Sequence, residues 1–423
     1  MSEKELQITP EQKRFLSEGI DFYKLTMGQV ALEQFTDTEV TFTFKNRDAE
    51  YPISEYVSAE ALKSRLDKIR DQGFTPEEIA YFAGIEAQDS NKRFDEPYLN
   101  FLSNIKLPEV SIKQNAKTSE LEIQTTGDWA AVSLWETVIM SEANEEYYQQ
   151  KLCADGIDIN SVLENGDQLL SQKIEILKKR PDIKFADFGT RRRFSADWQD
   201  HVVGRLASEL PDNFIGTSNP WLAYKYEVNP IGTYAHEMPM VYAALSDKDG
   251  NKPIDGHSAM MNDWFDRYGK DLSIALTDTF TSDLFFAEFT PEQANSWNGV
   301  RHDSGDALEF GQRVIDYYKS LNIDPLSKTL IFSDGLDLDK IIELADKFNH
   351  QINVVFGWGT TLTNDLGIRP NNIVMKATKA NQVNTVKLSD STGKHTGPDE
   401  KITYYIDDKD QRIANRLNLQ KAI

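Results

Sequence analysis

The 423-residue sequence predicts an α/β protein built on a parallel sheet, and three observations carry that expectation. From about residue 135, short apolar runs alternate with helical patterns in the rhythm strand, short loop, helix. Each run is bounded by Gly or Asp and shows no polar alternation, as a strand buried on both faces requires. Reactive residues follow directly after the runs: Asp187 to Arg193, Asp278-Thr279, Arg301 to Asp306, Ser333-Asp334-Gly335 and Gly357 to Thr360. In a parallel α/β barrel these positions form one mouth at the C-terminal ends of the strands. A doubly wound open sheet would gather them less completely.

The elements follow in order. Thr9-Pro10-Glu11-Gln12, Thr75-Pro76-Glu77-Glu78 and Thr290-Pro291-Glu292-Gln293 spell helix starts, with Thr as N-cap, Pro at the first position and Glu or Gln closing a capping box. Residues 40–47 alternate as a half-buried strand, and 109–113 with 119–125 read as a hairpin. A second extended stretch, 373–390, turns at Ala380-Asn381-Gln382, so both ends of the chain are β-rich. In the middle, 184–189 precedes a basic helical stretch, and 273–280 precedes a helix from about 281. Residues 329–335 precede Leu338, Ile341, Ile342, Ala345 and Phe348, which share one helix face. Residues 353–357 follow as a strand, and 306–321 and Met238 to Leu245 read as helices.

Composition narrows the function. The 46 Lys and Arg against 68 Asp and Glu give a net charge of −22, which argues against nucleic acid and anionic membrane surfaces as partners. Cys153 is the single cysteine, so an intrachain disulfide and a cysteine metal cluster are ruled out. The start MSEKELQITP has no apolar core of a secretory signal, and no apolar run approaches the ~20 residues that span a bilayer. The expectation is a soluble, cytoplasmic protein.

Five strings carry chemistry. In Asp187-Phe188-Gly189-Thr190-Arg191-Arg192-Arg193 a glycine turn leads to arginines able to grip phosphate or carboxylate; otherwise they are a solvated helix start. In Gly232-Thr233-Tyr234-Ala235-His236-Glu237 a histidine stands at a loop-to-helix junction, where it can carry a proton or act as a nucleophile, or simply bond a carbonyl. Position 240 is Met, so no HExxH zinc motif exists. Gly299-Val300-Arg301-His302-Asp303-Ser304-Gly305-Asp306 reads as a loop dense in charge, suited to ribose hydroxyls, Mg²⁺ or an anion. Ser333-Asp334-Gly335 and Gly357-Trp358-Gly359-Thr360 are candidate anion nests, and no P-loop motif occurs anywhere. Asp21-Phe22-Tyr23-Lys24-Leu25-Thr26-Met27 reads, by itself, as helix packing with one acid and one base.

Together these strings resemble the nicotinate phosphoribosyltransferase family. The resemblance is carried by DFYKLTM (21–27), FGTRRR (188–193), GTSN (216–219), GTYAHE (232–237), TDTF (277–280), GVRHDSGD (299–306), FSDG (332–335), FGWGT (356–360) and KLSDSTGK (387–394), which span nearly the whole chain. It implies an irregular parallel α/β barrel joined to an α/β-sandwich domain built from both chain ends: 1–134 and 373–423 for the sandwich, 135–372 for the catalytic barrel. It also implies a head-to-tail homodimer. The implied reaction joins nicotinate to 5-phosphoribosyl-1-pyrophosphate (PRPP), coupled to ATP hydrolysis, with Mg²⁺ carried by the substrate and no protein metal ligand assigned.

The resemblance implies roles residue by residue. His236 matches a phosphorylated histidine, with Arg301 and Asp303 beside it in catalysis. Phe188 matches an aromatic on one face of the pyridine, and Tyr23 one reaching the other face from the partner subunit. Arg191 and Arg301 match anion-contacting arginines, and Asp303 a residue near the ribose hydroxyls, in the string that also holds Ser304. Gly335, Gly357, Gly359 and Thr360 would line the 5′-phosphate nest, and Asp278 is an electrostatic or metal-linked candidate. Gly216-Thr217 is followed by Ser218, where nicotinamide-using relatives carry aspartate; a hydroxyl there can donate to nicotinate. Two other readings stay open at this point: a nicotinamide enzyme, and a sugar-phosphate lyase on a barrel with Lys376 as Schiff base.

Overall fold

A computed structural model describes residues 15–421 apart from 49, 89, 116, 119 and 392. The helix start expected at Thr9 lies outside these. Those at Thr75 and Thr290 form, each with a complete capping box.

Two sheets organise the chain. The first is antiparallel and draws on both halves of the sequence. Its strands are β1 (Glu39–Asn46), β2 (Val110–Gln114), β3 (Leu121–Asp128), β10 (Ile373–Ala380) and β11 (Val383–Asn384), in the order β11-β10-β1-β3-β2. β1 is central, with Val40 opposite Gly127 on one side and Ala380 on the other. Leu121, Ile123 and Thr125 are buried while their neighbours face out, as the alternation of the sequence requires. Lys376 lies inside β10 and not at the end of a parallel strand, so the site that a barrel Schiff-base lysine would need is absent from it.

The second sheet is parallel, with β4 (Phe185–Asp187), β5 (Phe214–Thr217), β6 (Ile274–Leu276), β7 (Gly299–His302), β8 (Thr329–Phe332) and β9 (Asn353–Trp358) in the order β5-β4-β9-β8-β7-β6. That order is the chain order wrapped in a circle, as in a barrel. Between β5 and β6 an irregular segment replaces a strand. Thr217 N donates to Asn229 O at 3.1 Å and Ile231 N to Thr217 O at 2.8 Å, while Leu276 N donates to the Tyr234 hydroxyl at 3.0 Å. The barrel is therefore irregular at the place where the chain passes to His236.

Three local expectations need correction. The alternation of strand and helix begins at Phe185, not near 135, because 135–177 is two long helices, Trp135–Asp155 and Ile159–Leu177. Every residue from Trp135 to Tyr148 is buried, so the first of these shows no one-sided periodicity. The basic stretch after β4 is a single 3₁₀ turn, Thr190–Arg192, and the next helix starts at Ala196 behind the cap Ser195. Arg193, buried and extended, donates to Glu18 O at 2.5 Å and pulls the chain out of helix. Residues 299–302 are a strand, since parallel pairing to β6 and β8 captures Arg301 and His302.

The helix Glu237–Lys248, buried from Glu237 to Leu245, packs on β10 and on the helix Asp255–Tyr268. Its start is thereby held where the antiparallel sheet meets the barrel mouth. Among the described residues, no helix is long and apolar enough to cross a membrane.

Candidate active site

A cavity of about 370 Å³ opens at the C-terminal ends of β4, β7, β8 and β9. Tyr23, Phe188, Arg191, Ser218 and His236 border it on one side. Arg301, Asp303, Gly335, Gly357, Gly359 and Thr360 border it on the other. Residues separated by more than three hundred positions thus share one mouth, as the barrel reading requires.

Three expected site residues stand behind this lining. Thr217, Asp278 and Ser304 are buried, and their polar atoms are committed to protein partners. Thr217 Oγ1 donates to Asp187 Oδ2 at 2.7 Å, and Ser304 Oγ to Asp278 Oδ2 at 2.6 Å. Ser304 is therefore a support for Asp278 and not a substrate contact. Ser218 reaches the cavity, but its one hydroxyl proton goes to Asp21 Oδ1 at 2.6 Å. It is not free to donate to a substrate carboxylate while that bond stands.

Tyr23 borders the cavity of its own chain. Asp21 precedes the helix Phe22–Gln34, and Phe22 N donates to Ser218 O at 2.5 Å. Thr26 Oγ1 donates to Thr233 O at 2.7 Å. A Cβ on Gly232 would stand 2.8 Å from Tyr23 N, so glycine is what lets the loop to His236 lie against this helix start. The Tyr23 ring faces the Arg191 guanidinium at 5.9 Å. Burial, foremost, pushes the phenol well above its ordinary value, so Tyr23 is neutral.

Opposite it, Phe188 follows β4. Asp187, fully buried, accepts from Gly189 N, Gln199 Nε2 and Thr217 Oγ1 at 2.7, 2.8 and 2.7 Å and fixes the turn. Gly357 belongs to β9, and a Cβ there would meet the Phe188 ring at 2.5 Å. Gly357 borders the cavity beside Gly335, Gly359 and Thr360, and it is also the floor on which the Phe188 ring rests. Gly335, with φ of 62°, is a true loop glycine after β8.

The three arginines divide. Arg193 is buried and structural. Arg191 lies 3.4 Å from Asp21 Oδ2 and 3.6 Å from Glu136 Oε1. The carboxylates of Asp21 and Glu136, so placed, favour its charged form. Arg192 borders the cavity too, and burial together with Arg191 and Arg47 lowers it to about 10.

His236 precedes the helix Glu237–Lys248 directly and borders the cavity. Its Nε2 lies 2.7 Å from Asp278 Oδ1 and its Nδ1 3.6 Å from Asp303 Oδ2. Burial lowers its pKa below the ordinary histidine range, against the pull of Asp278. Asp278 also pairs with Lys387 Nζ at 2.9 Å. Burial opposes its charge, but His236 and Lys387 hold the carboxyl well below the usual range. An ionised Asp278 can only accept, so the imidazole carries its proton on Nε2 and its lone pair on Nδ1. Asp303 is likewise held below the usual carboxylate range: burial opposes its charge, and the cations around it, Arg301 and Lys387 among them, outweigh it.

Behind His236 a smaller recess of about 90 Å³ is shared by Arg191, Arg192, Glu237 and Lys376. Burial, with Lys387 and Arg47 next, lowers Lys376 to about 7. Sequence reading missed this gathering of Arg192 and Lys376 and the pairing of Lys387 with Asp278, and it missed Asp21 and Glu136. The strings holding Asp21, Arg192 and Lys387 were visible, but nothing in them shows which cations share one space.

Comparison with known proteins agrees with this geometry. Residues 183–418 match the nicotinate phosphoribosyltransferase family, and residues 19–144 match the N-terminal domain of the same family. The nicotinate phosphoribosyltransferase of Chromobacterium violaceum is 36% identical over 91% of this chain and 94% of its own. Nicotinate phosphoribosyltransferase 1 of Pseudomonas aeruginosa is similar at 36% identity over the same shares, 91% and 94%. The crystal structure of the Porphyromonas gingivalis enzyme superposes with a TM-score of 0.83 at 30% identity, covering 94% of this chain and 100% of that one. That of the Vibrio cholerae enzyme gives 0.78 at 28% identity, with 98% of each chain covered. With both family segments matched and the barrel mouth, His236 and the N-terminal helix in one site, the chain belongs to the nicotinate phosphoribosyltransferase family.

Proposed function

We propose that this protein transfers the phosphoribosyl group of PRPP to nicotinate, giving nicotinate mononucleotide and pyrophosphate for NAD biosynthesis, and that ATP drives the reaction through a phosphate carried on His236. The observation that carries the proposal is the His236 imidazole, fixed through Nε2 by Asp278 with Nδ1 free at the junction of an aromatic, arginine-lined cavity and a cationic recess.

In the phosphoryl step Nδ1 attacks the γ-phosphorus of ATP, the P–O bond to ADP breaks, and ADP leaves. The Nε2 proton stays on the bond to Asp278, which stabilises the charge that the ring acquires. In the transfer step the pyridine nitrogen forms its bond to C1′ as the C1′–O bond to pyrophosphate breaks; water then cleaves the N–P bond, releasing inorganic phosphate and restoring neutral His236. No proton has to be removed from nicotinate. Catalysis then consists of holding the two reactants in line and stabilising a departing anion. Phe188 and Tyr23 offer the pyridine two aromatic walls. Arg191 and Arg192 place cations where a carboxylate is favoured over an amide, and this replaces Ser218 as the basis of substrate choice. Arg301, whose buried Nε has no protein partner, offers a donor to the anion.

A substrate-borne Mg²⁺ fits this site. Both Asp278 oxygens are taken; Asp303 and Asp334 border the cavity, Asp303 accepting from Ser333 Oγ through Oδ1 at 2.8 Å and Asp334 pairing with Lys394 through Oδ2 at 3.1 Å. These two would hold the ion, which neutralises the charge of the leaving pyrophosphate. The chain supplies every one of these residues itself. ATP and PRPP are cytoplasmic metabolites, and we place the protein with them.

Incubation with γ-labelled ATP tests the reading. Label should survive alkali, be lost in acid and be absent from His236→Asn. That variant should keep slow turnover that ATP does not stimulate. Label on another residue, or a variant still stimulated by ATP, would discard the phosphohistidine. Turnover of nicotinamide as fast as nicotinate would discard the substrate assignment.

A further inference from the structure

Lys24 lies on the same helix turn as Tyr23 and is fully buried. Its ammonium donates to Glu136 Oε2 at 2.6 Å, to Glu237 Oε2 at 2.5 Å and to Ser133 Oγ at 3.3 Å. The Trp129 indole N–H takes the other oxygen of Glu237 at 2.7 Å. The remaining oxygen of Glu136 faces Arg191 at 3.6 Å, and Glu237 is the first residue of the helix that His236 precedes. One ammonium thus has two branches, one ending on Arg191 in the pyridine slot, the other at the root of the phosphoryl acceptor. Burial opposes a charge on Lys24, and the two carboxylates overcome it and raise its pKa above the ordinary lysine value. A buried charge so placed is held at fixed geometry, because any shift would strand it without a partner.

We infer that Lys24 is a positioning residue that holds Glu136 against Arg191 and Glu237 at the start of the His236 helix, tying the pyridine slot to the phosphoryl acceptor; this rests on the reading of the site given above. If so, the same side chain sets nicotinate affinity through Arg191 and ATP coupling through His236, although it touches neither substrate. A glutamate-to-glutamine change keeps an oxygen for Lys24 but removes the charge, so each branch can be weakened alone.

Steady-state kinetics and thermal unfolding of Glu136→Gln, Glu237→Gln and Lys24→Met test this. Glu136→Gln should raise the KM for nicotinate by on the order of tenfold, the effect of losing one charged contact, and keep the ATP stimulation ratio. Glu237→Gln should lower that ratio by on the order of tenfold and keep the nicotinate KM. Lys24→Met should do both. A lowered Tm with wild-type KM and wild-type ATP ratio per folded molecule would reduce the triad to a structural ion pair and overturn the inference. If Lys24→Met does not fold, the two glutamine variants decide by the same criterion. A wild-type enzyme that ATP does not stimulate would sink the phosphohistidine reading instead. The positioning role then stands or falls on the nicotinate KM of Glu136→Gln and Lys24→Met.

Discussion

Arg191, Arg192 and Arg193 are the same side chain three times in a row, and their surroundings give them different work. Arg193 donates to Glu18 O and to Gln199 Oε1 in a fully buried place, whereas Arg191 is open to the cavity. Arg193→Lys should therefore cost stability, about 1–3 kcal/mol for the lost buried hydrogen bonding, and show as a lower Tm. Arg191→Lys should leave Tm near wild type and raise the KM for nicotinate. Equal Tm losses in the two variants would contradict this division. The histidine site gives a second expectation with a definite sign. The imidazole must be neutral to attack, and burial lowers its pKa, so ATP-stimulated turnover should persist as pH falls through the ordinary histidine value of about 6.5. Asp278 raises that pKa, so Asp278→Asn should move the acid limb to still lower pH. Its maximal ATP-stimulated rate should fall by roughly 100-fold, because the proton on Nε2 is no longer held in place. An acid limb that moves upward in the pH–rate profile would be incompatible with Asp278 as the partner of Nε2.

At the scale of elements, β4, β9 and the helix Phe22–Gln34 decide the shape of the cavity between Phe188 and Tyr23. Gly357→Ala places a methyl 2.5 Å from the Phe188 ring within a strand that cannot retreat, since β9 is bonded to β4 and β8. The overpacking should cost about 1–3 kcal/mol, and the displaced ring should raise the nicotinate KM more than the KM for PRPP. Equal changes in both constants would mean that Gly357 serves the phosphate instead. Much of this level was legible in the sequence, because parallel strands buried on both faces must be short apolar runs. KFADFG, TLIFSDG and NVVFG all became strands for that reason. The 3₁₀ turn at Thr190–Arg192 was not legible from its own residues, yet Ser195 followed by Trp198, Val202, Val203 and Leu206 marks the later helix start. The dyad of His236 and Asp278 could not be read, since the two are 42 residues apart and neither string specifies the other. Lys24 was hidden more thoroughly. Its string has the look of helix packing, and only folding shows that the carboxylates it meets come from positions 136 and 237.

For the molecule as a whole, the pairing of β1 with β10 brings the two halves of the chain together, and the site forms beneath that junction. The residues that border the cavity run from Asp21 to Thr361 of one chain. This bears directly on assembly. In a head-to-tail dimer with shared sites, Tyr23→Ala and His236→Ala subunits, each lacking ATP-stimulated turnover, would complement each other, because each mixed dimer would rebuild one intact site. Random exchange would then restore about a quarter of the wild-type sites. In the structure the helix Phe22–Gln34 is fastened to its own barrel through Phe22 N to Ser218 O, Ser218 Oγ to Asp21 and Thr26 Oγ1 to Thr233 O. Both defects of a mixed pair therefore remain in separate sites, each lacking one residue. Mixing the two variants, with unfolding and refolding together to force exchange, should recover no activity beyond the sum of the separate preparations. Refolded wild type provides the control for recovery. Activity rising toward a quarter of that control would show that the Tyr23 helix crosses to a neighbouring subunit in solution, and it would overturn the self-contained site.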